Sequence, residues 1–221
     1  MNRPVLTESE VRQLKPGSPC YVLKGTLVTA LARDLASSRQ NAIIECEDES
    51  ELEGLKSIDR RVALGADHGS RSLKNGLSAF LGENGYFVDC VSGDEEICDS
   101  PELTTRVANA LRCGRALRGI MIDDMGLGAC VLANKIPGIR AAHGYDRLSA
   151  RNSREYLDAN LLTLGAQVLS LEQTILVVST WLNTSIPSGR GLCWIPKIES
   201  IEQRFSKDYV VALAGDCSCA L

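Results

Sequence analysis

The stretch RGIMIDDMGLGACVLANK, Arg118–Lys135, decides how the rest of the chain is read. Gly119–Ile122 reads as a buried strand. Two carboxylates follow, Asp123 and Asp124, then a glycine turn through Gly126 and Gly128, then a helix ending near Asn134–Lys135. A strand that hands acidic groups and free backbone N–H donors to the mouth of a helix makes a candidate binding or catalytic site. In open α/β sheets such sites lie beyond the carboxyl ends of the strands.

Outward from this stretch, strands and helices alternate. Arg61–Ala66 (RVALGA) is a continuous apolar strand followed by Asp67-His68-Gly69-Ser70, after which Leu73, Leu77, Phe80 and Leu81 recur at helical spacing. Tyr86–Val91 is a second strand, Ser92–Ser100 an acidic loop, and Pro101 suits the first turn of a helix with an apolar face of Leu103, Val107, Ala110 and Leu111. Strands at Ile139–Ala142 and Asn160–Leu164 bracket a helix over Tyr145–Tyr156, and Leu171–Leu182 is a long amphipathic helix. The pattern predicts an α/β fold with a parallel five-stranded sheet covered on both faces. A loop over Asn183–Gly191 precedes a helix around Lys197–Phe205. The tail, Asp208–Leu221, carries a VVALA run that fits a strand, an interaction peptide or a packed terminus.

Residues 1–60 follow a different rhythm. Thr7-Glu8-Ser9-Glu10 has the form of a capping box before a short helix that Pro16-Gly17 ends. Short strands are expected at Tyr21–Leu23, Thr26–Val28 and Ala42–Cys46, a helical turn over Ala30–Ser37, and an acidic linker at Glu47–Glu53. The expected division is an N-terminal extension over 1–60, a catalytic domain over 61–206 and a tail over 207–221.

The totals narrow the function classes. A chain of 221 residues, 44% hydrophobic, can bury one full core with a small appendage. With net charge −4 and only 5% aromatic residues, no basic stripe or base-stacking platform points to a nucleic-acid partner. No run approaches the ~18 apolar residues of a membrane span. Nine scattered cysteines with no C-x-x-C pair and two histidines do not suggest a zinc site. The odd count and a polar, acidic Met1–Ser9 are read as reduced thiols in a cytoplasmic protein.

Several short motifs then fall in one order. They are Gly65-Ala66-Asp67-His68, Asp99-Ser100-Pro101, Gly126-x-Gly128 with Ala133-Asn134-Lys135, Gly138-Ile139-Arg140-Ala141, Asp158-Ala159-Asn160-Leu161-Leu162-x-Leu164-Gly165, and Ser188-Gly189-Arg190. On this strand–helix rhythm, residues 61–205 resemble the type B ribose-5-phosphate isomerases and their galactose-6-phosphate isomerase relatives. The resemblance implies a Rossmann-like αβα sandwich and a homodimer, with a tetramer as the larger alternative, whose active sites lie between subunits. It implies no metal and no redox cofactor. The reaction it implies is aldose–ketose isomerisation of a sugar phosphate through a cis-enediolate, with ribose 5-phosphate and ribulose 5-phosphate as the expected pair. Another sugar phosphate, an unphosphorylated sugar acid, or a non-catalytic sugar-phosphate-binding scaffold are the alternatives.

The same resemblance assigns roles residue by residue. The usual loop reads Cys-Gly-Thr-Gly-x-Gly, and its cysteine shuttles the proton. Here Asp123 takes that place and Asp124 the next, so Asp123 is the expected base, either carboxylate being otherwise a cap for the following helix. Backbone N–H groups around Gly126, Leu127 and Gly128 are expected to hold the enediolate. The ring-opening histidine of the family falls on Tyr156, with His143 as a substitute. His68 is expected to touch ring oxygen or phosphate and Asp67 to orient the sugar. Arg190 matches the first phosphate-binding arginine, while the second falls on Trp194, with Lys197 one turn further on. Asn134 is placed near the loop, fixing it. Finally, Leu6-Thr7-Glu8 with Gly25-Thr26-Leu27-Val28-Thr29-Ala30-Leu31-Ala32-Arg33-Asp34 resembles a segment near the start of several bacterial microcompartment enzymes. That likeness implies a targeting or assembly module and, as partners, microcompartment shell or cargo proteins.

Overall fold

The computed structural model describes residues 4–14, 19–39, 41–91, 99–184 and 194–215. The N-terminal part is a small α/β unit. β1 (Val5–Leu6), α1 (Glu8–Gln13), β2 (Cys20–Leu23), β3 (Leu27–Val28), α2 (Ala30–Arg39), β4 (Ile43–Cys46) and α3 (Glu49–Asp59) follow in chain order. β1 pairs with β3 and β2 with β4, both parallel. Leu6, Val11, Cys20, Val22, Ala32 and Ala36 close an apolar cluster of their own. The run read as an acidic linker begins a helix instead. Asp48 accepts the Glu51 N–H at 2.8 Å, and acids in the first turn suit the positive end of a helix dipole.

The larger part is built on β5 (Arg61–Ala66), β6 (Phe87–Cys90), β7 (Arg118–Asp123), β8 (Ala141–His143) and β9 (Leu161–Gly165), all parallel in the order β6-β5-β7-β9-β8. Apart from Arg61 and Arg118, every residue of the three inner strands is buried. That is why they read as unbroken apolar runs: helices cover both faces. On one face α4 (Arg71–Glu83), α7 (Arg147–Leu157) and α8 (Leu171–Asn183) bring Leu77, Leu81, Ala150, Val177 and Trp181 onto Leu64, Ile120, Ile122 and Leu164. On the other, α5 (Ser100–Arg112) and α6 (Leu127–Ala133) bring Leu103, Val107, Ala129 and Ala133 onto Ala63, Met121 and Leu161. The architecture is an αβα sandwich.

The chain leaves β5 towards β6 over one face and returns past β5 to β7 over the other. The strand order therefore reverses between β5 and β7, and a crevice opens beyond their carboxyl ends. Asp67 and Asp123 stand at its two lips.

Several boundaries differ from expectation. The fourth strand starts at Ala141 rather than Ile139, because Asn160 Oδ1 takes the Arg140 N–H that a ladder would have used (2.8 Å). The following helix starts at Arg147, capped by Asp146, which accepts the Ser149 N–H. The last helix, α9 (Ile195–Gly215), runs through the VVALA stretch. With no strand paired to it among the described residues, that stretch satisfies its backbone within the helix. Most of the Asn183–Gly191 loop lies outside the described residues. Among the described residues Cys20 and Cys46 are buried, Cys130 is half-buried, and Cys90 and Cys113 are exposed, all as free thiols. No helix among them is long and apolar enough to cross a membrane.

Candidate active site

The loop after β7 is held from within. Asp123 is 7% exposed, and its carboxylate is turned back into the loop. Oδ1 accepts the Met125 N–H at 3.1 Å and, in a shorter contact, that of Gly126, while Oδ2 accepts the Ala129 N–H at 3.0 Å. The last bond reaches the third residue of α6, whose N-cap, Gly126, has no side chain to do this. Asp123 is thus the remote cap of α6. Of the two expected roles, base and cap, the hydrogen bonds carry the cap: both oxygens are engaged by backbone donors, while the side chain still lines the cleft. Asp123→Asn replaces one of these acceptors with an N–H₂ facing N–H groups, and is expected to cost about 2 kcal/mol. Urea denaturation measures this, and a change below about 0.5 kcal/mol would remove Asp123 as the anchor.

The loop is also clamped from behind. Gly126 has φ +76°, and a Cβ there would lie 2.5 Å from His143 Nδ1 and 2.9 Å from the Leu164 carbonyl carbon. A Cβ on Gly165 would meet the Met125 carbonyl oxygen at 2.7 Å. Both glycines exist so that the loop can lie on the ends of β8 and β9. His143 therefore backs the loop instead of entering the crevice. Its Nδ1 is buried with no hydrogen-bond partner among the described residues, and its ring centroid is 6.0 Å from that of Tyr145.

In front of the loop is a cleft of about 330 Å³ lined by Asp67, Asp123, Asp124, Met125 and Gly128, with Ser100, Pro101 and Thr104 of α5 opposite. Asp67 caps the 3-10 turn His68–Ser70, Oδ1 accepting the Ser70 N–H at 2.9 Å. Asp124 is exposed, and its side chain has no hydrogen-bond partner among the described residues. Oδ1 of Asp124 and Oδ1 of Asp67 lie 3.5 and 3.8 Å from where a Cβ on Gly69 would stand. Among the described residues no three His, Cys, Asp or Glu side chains are grouped to hold a metal ion.

Gly128 and exposed Leu127 open α6, and a Cβ on Gly128 would stand 3.6 Å from Asp123 Oδ2. His68 is exposed beside Asp67 but does not line the cleft. Asn134 ties α6 to β8 rather than fixing the glycine loop. Its Oδ1 accepts the Ala141 N–H, and its Nδ2 donates to the Ala141 carbonyl, both at 2.9 Å. Tyr156 is exposed in the last turn of α7, next to Leu157, whose carbonyl accepts from Arg140 Nε at 3.0 Å. Arg140 precedes β8, so Tyr156 stands at the amino end of the sheet, roughly 16 Å along the strands from Asp123. Lys197 is exposed on α9, beside the Ile198 that faces Arg140 and Leu157, at that same far end. Arg190 lies outside the described residues.

Ser100 and Thr104 were not among the expected site residues, although Asp99-Ser100-Pro101 was among the motifs read. Cys130 sits half-buried behind the loop and outside the cleft lining, and burial pushes its thiol pKa up, against a hydrogen bond from Thr163 and with the charge of Asp123 adding to the rise. No pattern in the sequence singles it out.

Residues 62–198 match the family model described as Ribose/Galactose Isomerase. The D-erythrulose-4-phosphate isomerase of Pectobacterium atrosepticum is 34% identical over 142 residues, which cover 63% of this chain and 91% of that protein. The ribose-5-phosphate isomerase B of Escherichia coli is 35% identical over 146 residues, 66% of this chain and 98% of the relative. Among solved structures, ribose-5-phosphate isomerase B of Clostridium thermocellum superposes with a TM-score of 0.63 at 39% identity, over 66% of this chain and 99% of that one. The matched span is the five-stranded sandwich, and the crevice between β5 and β7 falls inside it. The chain belongs to the ribose/galactose isomerase family, as a sugar-phosphate isomerase that interconverts an aldose and a ketose.

Proposed function

We propose that the substrate pair is ribose 5-phosphate and ribulose 5-phosphate, interconverted through a cis-enediolate. The observation that carries this reading is the cleft at the reversal of strand order, where carboxylates converge with the opening of α6. The first-turn N–H groups of Leu127 and Gly128 have no acceptor among the described residues and suit a developing enediolate oxygen. A cleft lined by Asp67, Asp123 and Asp124 disfavours a carboxylate at the reacting end, so a sugar acid fits less well than a phosphorylated sugar whose phosphate lies elsewhere. The four-carbon reading has its own support in the relative that acts on D-erythrulose 4-phosphate.

The partner we propose is a second copy of this chain. Tyr156 and Lys197 stand at the far end of the sheet from their own cleft, so they meet substrate only in a neighbour's. The exposed Leu127, Val131, Tyr145 and Leu148 around the loop supply an apolar surface for that contact. Residues 1–60, with their own cluster around Val11, serve under this reading as the targeting or assembly module of a microcompartment enzyme.

Steady-state assays with ribose 5-phosphate and with erythrulose 4-phosphate test the substrate. The pentose phosphate is expected to have a kcat/KM at least about tenfold higher, the discrimination one extra carbon unit supports. The reverse order would make this a four-carbon isomerase.

A further inference from the structure

We propose that Asp124, facing Asp67 across Gly69, is the carboxylate that moves the proton between C1 and C2, and that Asp123 is not. The inference rests on the isomerase reading and deepens it by naming the base. A base needs a lone pair turned to the substrate and a backbone that holds it still. Asp123 meets the first condition poorly: three backbone N–H groups occupy its two oxygens, leaving about one of its four or so lone-pair sites open to the cleft. Asp124 meets both. Its side chain lines the cleft without a described partner. Its backbone is pinned, since its carbonyl accepts the Gln167 N–H at 3.0 Å and that of Asp123 accepts the Ala166 N–H at 2.8 Å.

Asp67 completes the arrangement. Its Oδ1 is fixed by Ser70, its other oxygen has no described donor, and the missing side chain of Gly69 leaves the space between the two acids open. In the forward direction Asp124 takes the C2 proton of the open-chain aldose. The C2–H electron pair becomes the C1–C2 double bond, and the carbonyl pair moves onto O1. The O2 proton passes to O1 through Asp67. The O2 pair then re-forms a carbonyl at C2, the double-bond pair takes the stored proton from Asp124 onto C1, and the ketose leaves with no net proton gained or lost.

The test is exchange of substrate carbon-bound hydrogen with D₂O, alongside turnover, for the full chain acting on ribose 5-phosphate and erythrulose 4-phosphate. Asp124→Asn alters an exposed side chain without a partner among the described residues, so its melting curve is expected to match wild type. Its kcat and its exchange rate are expected to fall together by about 10²- to 10⁴-fold with little change in KM. Gly69→Ala places a methyl in ordinary contact with both carboxylates, at 3.5 and 3.8 Å, and is expected to keep the fold while raising KM. Exchange within about threefold of wild type in Asp124→Asn would overturn the assignment and leave the isomerase reading standing. Wild-type protein that neither turns over nor exchanges either sugar phosphate would overturn both.

Discussion

Gly126→Ala is expected to destabilise the protein by about 2–5 kcal/mol and to remove turnover from what stays folded. Two costs combine. At φ +76° any side chain sits in the left-handed region, a penalty of about 1–2 kcal/mol. The added methyl also enters the His143 ring and stands 2.9 Å from the backbone carbon of Leu164, and overpacking of this kind costs about 1–3 kcal/mol. Because the loop carries Asp123, Asp124 and the opening of α6, a shift of ~1 Å there costs about 100-fold in rate even before stability falls. The ring contact can be isolated. His143→Ala alone removes a partly buried ring whose Nδ1 has no partner among the described residues, so its own cost is modest. Combined with Gly126→Ala it gives the methyl room, and the double variant is expected to recover about 1–2 kcal/mol relative to additivity. Chemical denaturation of the four proteins measures the coupling. Strict additivity would mean that His143 does not seat the loop.

The sandwich was legible because its inner strands are buried on both faces. RVALGA, GIMI and LLTL are apolar without alternation, a pattern that in a chain of alternating helices has few other readings. The crevice was legible for the same reason: Asp67 and Asp123 follow directly on such strands. The direction of a side chain was not. Whether Asp123 faces substrate or its own loop depends on N–H groups two, three and six residues away, brought together only once Gly126 turns left-handed. The capping alternative is visible in the sequence from the position of the two acids just ahead of a helix, but which way each side chain turns is a matter of geometry. Tyr156 is placed by the family's histidine position and His143 as its substitute at a strand end, yet His143 backs the loop and Tyr156 stands at the opposite end of the sheet. Helices run antiparallel to the strands they connect, so the last turn of α7 returns to the amino ends. A role for Tyr156 at a cleft therefore implies a second chain, a consequence that periodicity does not express.

Asp158→Ala is expected to cost about 3–5 kcal/mol, lowering Tm by roughly 10 °C. Asp158 closes α7 at φ +44°, the single non-glycine residue with positive φ among those described. Its Oδ1 pairs with Arg154 Nη1 in a short contact, and its Oδ2 accepts from Arg140 Nη2 at 2.8 Å. The Arg154 side chain is only 4% exposed, lies 5.8 Å from the Trp181 ring centroid, and also donates to the Ala159 carbonyl at 2.8 Å. Burial pulls its guanidinium below the ordinary arginine range. Asp158 opposes this through its charge and its hydrogen bond, while Arg140 pushes in the same direction as burial. Removing the carboxylate leaves a buried cation with a second cation beside it, which is why the loss exceeds that of a surface pair. Three substitutions separate charge from backbone. Asparagine tolerates the left-handed conformation and keeps a hydrogen bond, so it is expected to cost least. Glycine relieves the backbone but loses the pair, and alanine loses both. The order Asn, Gly, Ala in increasing cost, read from thermal and urea unfolding, attributes the stability to this junction. Equal losses for Gly and Ala would show that the charge pair alone carries it. The junction lies at the amino ends of β8 and β9, beside Tyr156. If that end reaches a neighbour's cleft, Asp158→Asn will also raise KM without changing the pH dependence of kcat, because it moves a contact and not the group that carries the proton.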